Sequence, residues 1–133
     1  MSVDEARPVP HPTPESQPYW DGAARGKLLL QRCAECRTVR HYPQLVCARC
    51  YSLGVEWIEA SGRGAVHSWT VAHHAFHPAF RSDLPYTLLT VDLAEGPRAM
   101  GRLDPACQTP LRLCLPVTVA FPDGLFPVFS VVE

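Results

Sequence analysis

Two Cys-x-x-Cys pairs constrain this chain more than any other feature of its sequence. Cys33 and Cys36 form the first pair, and Cys47 and Cys50 follow after ten intervening residues. A tight turn within each pair lets both thiolates face one ion, and two such turns complete a tetrahedron with sulfurs about 2.3 Å from Zn²⁺. Four reduced core cysteines or two disulfides would not require this double spacing. The pattern therefore predicts one zinc ion per chain on these four cysteines, with iron in the same site as the alternative.

A metal with four protein ligands has no open coordination position for water or substrate, so we expect a structural ion and no catalytic residue at this site. The two remaining cysteines, Cys107 and Cys114, lie outside the pairs. We interpret them as a small apolar side chain and a loop thiol, because nothing close in sequence marks either one as a nucleophile.

The composition is that of one ordinary domain, or of a small zinc module fused to a slightly larger one. Apolar residues make up 47% of the 133 residues and charged residues 19%, which is typical of globular proteins. A net charge of −1 provides no electrostatic attraction to nucleic acid or to an anionic membrane. The chain also contains no apolar run long enough to span a bilayer.

The N-terminal segment, residues 1–17, is polar and rich in proline. It has neither the basic start nor the apolar run of an export signal, and cysteines of metal knuckles suit a reducing compartment. We therefore expect a cytoplasmic protein that begins with a disordered, proline-rich arm.

Residues 18–61 are predicted to form a helix followed by a zinc ribbon. The helix, Pro18–Gly26, has proline at its start and glycine at its end. Its two aromatic side chains, Tyr19 and Trp20, pack either on the core of this chain or against a partner. Strands before the first knuckle and after the second, with a hairpin between the knuckles, form the ribbon. Their predicted ranges are Lys27–Arg32, Val55–Ala60 and Thr38–Tyr42.

Residues 62–133 carry almost continuous strand signal after a glycine-rich break at Ser61–Gly64. Five short strands with a tight hairpin between the second and third favour a small closed barrel, most economically an OB-fold. Periodicity alone also permits another small barrel or a sandwich. The predicted strands are Ala65–Ala72, Tyr86–Leu93, Arg98–Leu103, Val117–Phe121 and Pro127–Val132.

The longest segment without strand signal in this barrel runs from His73 to Pro85. Functional residues concentrate on such loops, and this one carries three histidines and two phenylalanines. A second metal is disfavoured, because adjacent histidines on an extended chain point to opposite sides. A loop that faces solvent or a ligand is the simpler interpretation.

Nucleic-acid binding is the third function class considered, because both zinc ribbons and OB-folds occur in such proteins. An OB-fold binds single strands with aromatic and cationic side chains on its second and third strands. Here those strands offer one aromatic residue, Tyr86, and two arginines, Arg98 and Arg102. We therefore expect no binding to nucleic acid.

Taken in order, several motifs resemble the acyl-CoA-associated OB-fold family that has an N-terminal rubredoxin-like zinc ribbon. The resemblance covers about residues 18–131 and depends on the ordered set rather than on any single motif. The motifs are P-Y-W in the helix, G-K-L-L-L-Q-R-C-A-E-C, V-C-A-R-C, S-G-R-G-A-V-H-S-W-T-V, L-P-Y-T-L-L-T-V-D-L-A-E-G-P-R and F-P-V-F.

The resemblance implies a non-catalytic accessory subunit of an enzyme complex that processes acyl-CoA thioesters in lipid, sterol or aromatic-acid metabolism. The implied partner is a thiolase-fold thiolase or aldolase, or a MaoC-like hydratase, in a hetero-oligomer. A free-standing acyl-CoA-binding module is the alternative. The residues expected to contact the partner or the acyl-CoA are Tyr19, Trp20, His73, His74, Phe76, His77, Phe80 and Arg81.

The chain departs from the family pattern at several loop positions. Glycine usually follows each knuckle, where this chain has Arg37 and Tyr51, and these positions often require a positive φ. Glycine is also usual before the fourth barrel strand, where this chain has Cys114. The family's Pro-Pro before the second knuckle is replaced by Tyr42-Pro43. None of these changes removes a metal ligand.

Overall fold

A computed structural model describes residues 7–132, and its elements are one α-helix, one 3₁₀ helix and eight strands. The helix α1 spans Gln17–Ala24. The strands are β1 (Leu29–Cys33), β2 (Val39–Arg40), β3 (Val55–Glu59), β4 (Arg63–Ala72), β5 (Tyr86–Leu93), β6 (Arg98–Leu103), β7 (Pro116–Ala120) and β8 (Val128–Val131), with the 3₁₀ helix at Pro78–Asp83. The predicted fold class, mostly β with one short helix, is confirmed.

The first sheet is the ribbon. Strand β1 lies in its centre and pairs antiparallel with β2 and β3. Leu30 of β1 is fully buried, and it faces the partly buried Ile58 of β3. The hairpin predicted between the knuckles is shorter than expected, because only Val39 and Arg40 pair before the chain turns toward the second knuckle.

The second sheet is a closed barrel with the strand order β4-β5-β6-β8-β7, closed by pairing of β7 with β4. All neighbours are antiparallel except β6 and β8, which run parallel. This is the arrangement of a five-stranded Greek-key OB barrel. A bulge between Val66 and Ser68 bends β4, so that its first half pairs with both β5 and β7 while its second half pairs with β5.

One hydrophobic core connects the two sheets. Tyr19 and Leu30 from the helix and ribbon belong to the same buried cluster as Leu89 and Phe129 of the barrel. Gly101 of β6 allows the close approach that this core requires, since a Cβ there would lie 2.8 Å from the Phe129 ring. The backbone of β6 therefore packs closely against the buried ring of Phe129.

Two further contacts hold the helix and the ribbon on the barrel. The ring of Trp20 meets the ring of Phe126 edge to face, at 6.2 Å between centroids. The hydroxyl of Tyr42, in the connection between the knuckles, accepts a hydrogen bond of 2.9 Å from the backbone N–H of Met100. The knuckles and the barrel are thus placed next to each other by specific contacts.

Candidate metal centre

Each Cys-x-x-Cys pair folds into a knuckle, a tight turn that presents two sulfurs on one side. In the first, the backbone N–H of Arg37 donates to the carbonyl of Cys33, and in the second that of Tyr51 donates to the carbonyl of Cys47, at 3.0 and 2.9 Å. Backbone N–H groups inside the turns also point at the sulfurs, with Arg49 N lying 3.4 Å from Cys47 Sγ. These donors stabilise negative charge on the sulfurs.

The four sulfurs form one compact cluster. The Sγ atoms of Cys33 and Cys50 are 3.5 Å apart, and those of Cys36 and Cys47 are 3.7 Å apart. All four lie within 4.8 Å of one another. A tetrahedron with metal–sulfur bonds of about 2.3 Å has edges of about 3.8 Å. The predicted cysteines therefore cluster in a geometry that can bind one metal ion.

The pKa values of the four thiols also favour the binding of a cation. The pKa of Cys33 is lowered first by the backbone N–H of Cys36, and that of Cys47 first by the backbone N–H of Cys50. The Ser52 N–H acts to lower the pKa of Cys50, but the neighbouring sulfurs, that of Cys33 first, raise it to about 11. A fourth thiolate beside three others is favourable only with a cation among them.

An ion-pair group fastens the first knuckle to strand β3. One carboxylate oxygen of Glu56 accepts from Arg37 at 2.6 Å, and the other accepts from Arg32 at 2.9 Å. The hydrogen bond from Arg32, followed by the charge of Arg37, lowers the pKa of Glu56. Glu56 of β3 thus links Arg32, near the end of β1, to Arg37 of the knuckle, although the exposure of these groups limits the energy of each pair.

Within the described residues, 7–132, three residues other than glycine have left-handed backbone conformations. The φ angles are 68° at Arg37, 63° at Tyr51 and 66° at Cys114. The first two follow the knuckles, so the predicted requirement for positive φ there is confirmed. The third stands before β7, where the family pattern also has glycine. Each such residue costs about 1–2 kcal/mol relative to a relaxed conformation.

A group of buried polar side chains lies in the ribbon sheet and in the connection between the knuckles. Gln31 and Arg40 are both almost fully buried, and the Gln31 carbonyl accepts from Arg40 Nε at 2.7 Å and from the backbone N–H of Gln44 at 2.8 Å. The ring of His41 packs between the rings of Tyr19 and Tyr42, at 5.3 and 3.8 Å between centroids. Burial lowers the pKa of His41 to about 4.

The predicted contact residues fall into different environments. Tyr19 is only 5% exposed, because it packs in the core, which is the first of the two environments expected for it. Trp20 is partly buried against Phe126. By contrast, Phe76 is 94% exposed. Whether any of these residues contacts a partner stays a prediction.

The other predicted contact residues lie on the long loop between β4 and β5. His73, His74 and Arg81 are exposed. The Nδ1 atom of His77 accepts from the backbone N–H of Ala79 and so caps the 3₁₀ helix. The only cluster of three or more metal-ligating groups within residues 7–132 is the one formed by the four cysteines.

Sequence reasoning missed a cation–aromatic group beside this loop. The guanidinium of Arg102 stacks on the ring of Tyr86 at 4.0 Å, and it donates to Asp83 at 2.8 Å. Arg7 donates to the same carboxylate oxygen, Oδ2 of Asp83, at 2.5 Å, and its guanidinium lies 5.2 Å from the centroid of Phe80. Strand register brings Arg102 close to Tyr86, because Arg102 pairs with Leu88. Arg7 lies outside every strand, so only the folded chain shows its contacts.

The barrel arginines considered for nucleic-acid binding are both paired. Arg98 donates to Asp92 at 2.7 Å, and Arg102 donates to Asp83. These hydrogen bonds, from Arg98 and Arg102 respectively, are the first cause of the lowered pKa of each aspartate.

In residues 7–132, no helix is long and apolar enough to cross a membrane.

Two family models match consecutive parts of the chain. The model described as ChsH2, rubredoxin-like zinc ribbon domain matches residues 20–56, and the one described as ChsH2, C-terminal OB-fold domain matches residues 57–122. The boundary between the two matches falls inside β3, just before the break at which the barrel begins.

Two relatives are similar to most of this chain. The probable enoyl-CoA hydratase alpha subunit of Thermomonospora curvata is 36% identical over 127 residues, which are 92% of this chain and 39% of the relative. The 3-oxo-4,17-pregnadiene-20-carboxyl-CoA hydratase alpha subunit of Mycobacterium tuberculosis is 33% identical over 112 residues, which are 84% of this chain and 34% of the relative. The chain thus spans less than half the length of these relatives.

Among solved structures, a chain of the Ltp2-ChsH2(DUF35) aldolase superposes with a TM-score of 0.78 at 34% sequence identity. The superposition covers 92% of this chain and 98% of that chain. The two chains therefore match over nearly their whole lengths in both fold and sequence.

Proposed function

The chain belongs to the ChsH2 family of proteins with a rubredoxin-like zinc ribbon and an OB-fold domain, and from this membership we propose that it is a non-catalytic accessory subunit of an enzyme that processes acyl-CoA thioesters. The partner would be a thiolase-fold aldolase or thiolase, or a MaoC-like hydratase. The observation that carries the proposal is the match to the aldolase-associated chain at 34% identity over 92% of this chain.

We propose zinc as the resident metal and a structural role for it. The donor set of four cysteine sulfurs suits Zn²⁺ and leaves no coordination position for substrate. When bound, the ion would link the two knuckles and balance the negative charge of the thiolates. Residues 18–61 and 62–133 would then be two modules joined by one core, preceded by the predicted arm, of which residues 1–6 lie outside the described part of the chain. Reduced thiolates suit the cytoplasm.

The loop between β4 and β5 is the proposed contact surface for the enzyme subunit. Phe76 projects from it with 94% of its surface exposed, and the ring of His74 meets it edge to face at 4.5 Å between centroids. An exposed aromatic side chain at the tip of a loop is a typical anchor in protein interfaces. The exposed Arg81 on the same loop would meet a phosphate of the acyl-CoA bound by the complex.

Co-purification of the native protein, followed by identification of what is retained, tests the proposal. We expect an aldolase, thiolase or hydratase subunit in a stable hetero-oligomer that acts on an acyl-CoA thioester only when both chains are present. A purified chain that turns over acyl-CoA without any other subunit would contradict the accessory role.

Substitution of the exposed aromatic side chain tests the surface. Phe76→Ala is expected to weaken complex formation by about tenfold or more, as typical anchor residues do, with zinc content and melting temperature unchanged. Thr118→Ala, at an exposed position on β7, serves as the matched control. Affinity measured by titration of the isolated subunits gives the result. If Phe76→Ala assembles as well as the parent, the loop is only a connector.

A further inference from the structure

Strand β4 is longer than the strand that covers one of its edges. It spans Arg63–Ala72 and pairs with β5 along almost its whole length, whereas β7 pairs only with Arg63–Ala65. The last bonds on that side join Val66 to the two residues that precede β7, at 2.9 and 2.8 Å. In the described part of the chain, no backbone hydrogen bond joins residues 68–72 to a segment other than β5. The second half of β4 is therefore an open sheet edge.

The hydrogen-bond pattern shows which backbone groups face this edge. Backbone groups along a strand point alternately to its two neighbours. The N–H of Leu93, in β5, donates to the residue before β6, so that of Leu88, five residues earlier, points toward β4. Thr70 lies opposite Leu88 and so uses its N–H and C=O groups within the sheet. Its neighbours Trp69 and Val71 therefore direct theirs to the open edge.

The composition of this edge is that of a strand that pairs. Natural proteins commonly protect an exposed edge with charged residues or proline, whereas residues 68–72 are S-W-T-V-A, and tryptophan, threonine and valine favour strands. Trp69 and Val71 keep 40% and 45% of their surface exposed. Trp69 lies opposite the fully buried Leu89, so its side chain is on the core side of the sheet, beyond the part that the barrel covers.

The edge is continuous with the surface already proposed for the enzyme subunit. Ala72 ends β4, and Phe76, which is 94% exposed, follows four residues later. A symmetric pairing with a second copy of this chain would join only the five residues 68–72 on each side, whereas stable interfaces use about 20–30 residues a side. The enzyme subunit can contact the edge and the loop together, which favours it as the occupant.

We propose that the enzyme subunit supplies an extended segment that pairs with residues 68–72 of β4 as an added strand. The backbone of that segment bonds to the N–H and C=O groups of Trp69 and Val71, which provides affinity, and its alternate side chains provide specificity. The side chains opposite Trp69 and Val71 are apolar, and the one opposite Thr70 is small or polar. The inference rests on the proposed accessory role and adds the mode of assembly to it.

Proline at the edge tests the added strand. Val71→Pro removes an N–H that faces the edge, while the bonds to β5 remain, because those belong to Thr70 and Ala72. We expect binding to weaken by about tenfold or more. The affinity is measured by titration with the purified enzyme subunit that the parent chain retains. Val71→Thr keeps the N–H and the branched shape, so as the matched control it should bind almost as well as the parent.

Amide hydrogen exchange of the unsubstituted chain gives a second measurement, which does not depend on the folding of a variant. In the free chain, the N–H groups of Trp69 and Val71 should exchange quickly, because they face water, and that of Thr70 slowly. Assembly with the enzyme subunit should slow exchange at Trp69 and Val71 by about tenfold or more. A contact made only by side chains would leave this alternation unchanged.

Unchanged exchange at Trp69 and Val71 in the assembled complex would overturn the proposal, and so would equal affinity of a folded Val71→Pro and the parent. The accessory role would stand in both cases, because the complex still forms. If the parent chain retains no enzyme subunit, the accessory role and the added strand fail together. An isolated chain that sediments as a dimer, and as a monomer after Val71→Pro, would assign the edge to a second copy and overturn the proposal.

Discussion

The ribbon and the barrel achieve their stability by different means. The ribbon has one two-residue strand, two left-handed residues after its knuckles and a pair of turns that converge on four sulfurs. The barrel closes on itself through backbone pairing and packs around Phe129 and Leu89, both fully buried. A metal can therefore stabilise the knuckles, which contribute little to the shared core, whereas the barrel depends on close packing.

Removal of one metal ligand should produce the largest difference in stability between the ribbon and the barrel. Binding of structural zinc contributes about 10–16 kcal/mol of apparent folding free energy in small modules at neutral pH. In Cys47→Ser we expect loss of about one zinc per chain and unfolding of the knuckles, measured by metal analysis and amide exchange. Cys107→Ser is the matched control and should keep its metal. Full zinc retention by Cys47→Ser would exclude these four cysteines as the ligand set.

Acid should weaken the contact between the regions, because His41 is buried there. Its pKa falls from 6.5 to about 4 in the folded protein, so the unfolded state binds more protons between these values. The stabilisation is complete above pH 6.5 and is lost as the pH falls toward 4, by on the order of 3 kcal/mol in total.

His41→Phe keeps the ring between Tyr19 and Tyr42 but removes the titrating group. Denaturant unfolding across this pH range should give a flatter profile for the variant than for the parent. Release of zinc in acid affects both proteins alike and so cancels in the comparison. Parallel profiles would show that the burial of His41 contributes nothing to the pH dependence.

A packing change should affect the barrel and leave the metal centre unchanged. In Gly101→Ala the new Cβ would lie 2.8 Å from both the Phe129 ring and the carbonyl oxygen of Pro127. Such overpacking typically costs about 1–3 kcal/mol. We expect a lower melting temperature with full zinc content, and Thr118→Ala gives the baseline. If zinc is lost together with stability, the two regions unfold as one unit.

The smallest expected effects come from the left-handed residues. Glycine at such a position relieves about 1–2 kcal/mol of strain but loses about 0.5–1 kcal/mol to the entropy of the unfolded chain. Tyr51→Gly should therefore stabilise the ribbon slightly and slow the removal of zinc by a chelator. Cys114→Gly should raise the melting temperature by a few degrees at most. If instead Tyr51→Gly changed only the melting temperature and Cys114→Gly changed only the rate of zinc removal, the strain at each position would not be confined to its own region.

The metal centre is the part that the sequence determined most completely. Cysteine spacing acts within a turn, so the four candidate ligands followed from local chemistry alone. The positive φ at Arg37 and Tyr51 followed from the family resemblance, because glycine is usual at both positions. The strands were predicted almost as well, because alternation is also local. The ranges predicted for β5 and β6, for example, agree with the structure.

Tertiary structure decided everything that depends on which distant residues meet. The parallel pairing of β6 with β8 distinguishes this OB barrel from other small barrels, and no local pattern encodes it. Burial of Tyr19 and His41, and the contact of Arg7 with Asp83 across 76 positions, likewise depend on how the helix and the ribbon dock on the barrel. Sequence periodicity shows that a side chain seeks an apolar surface, but only the packed fold determines which surface it meets.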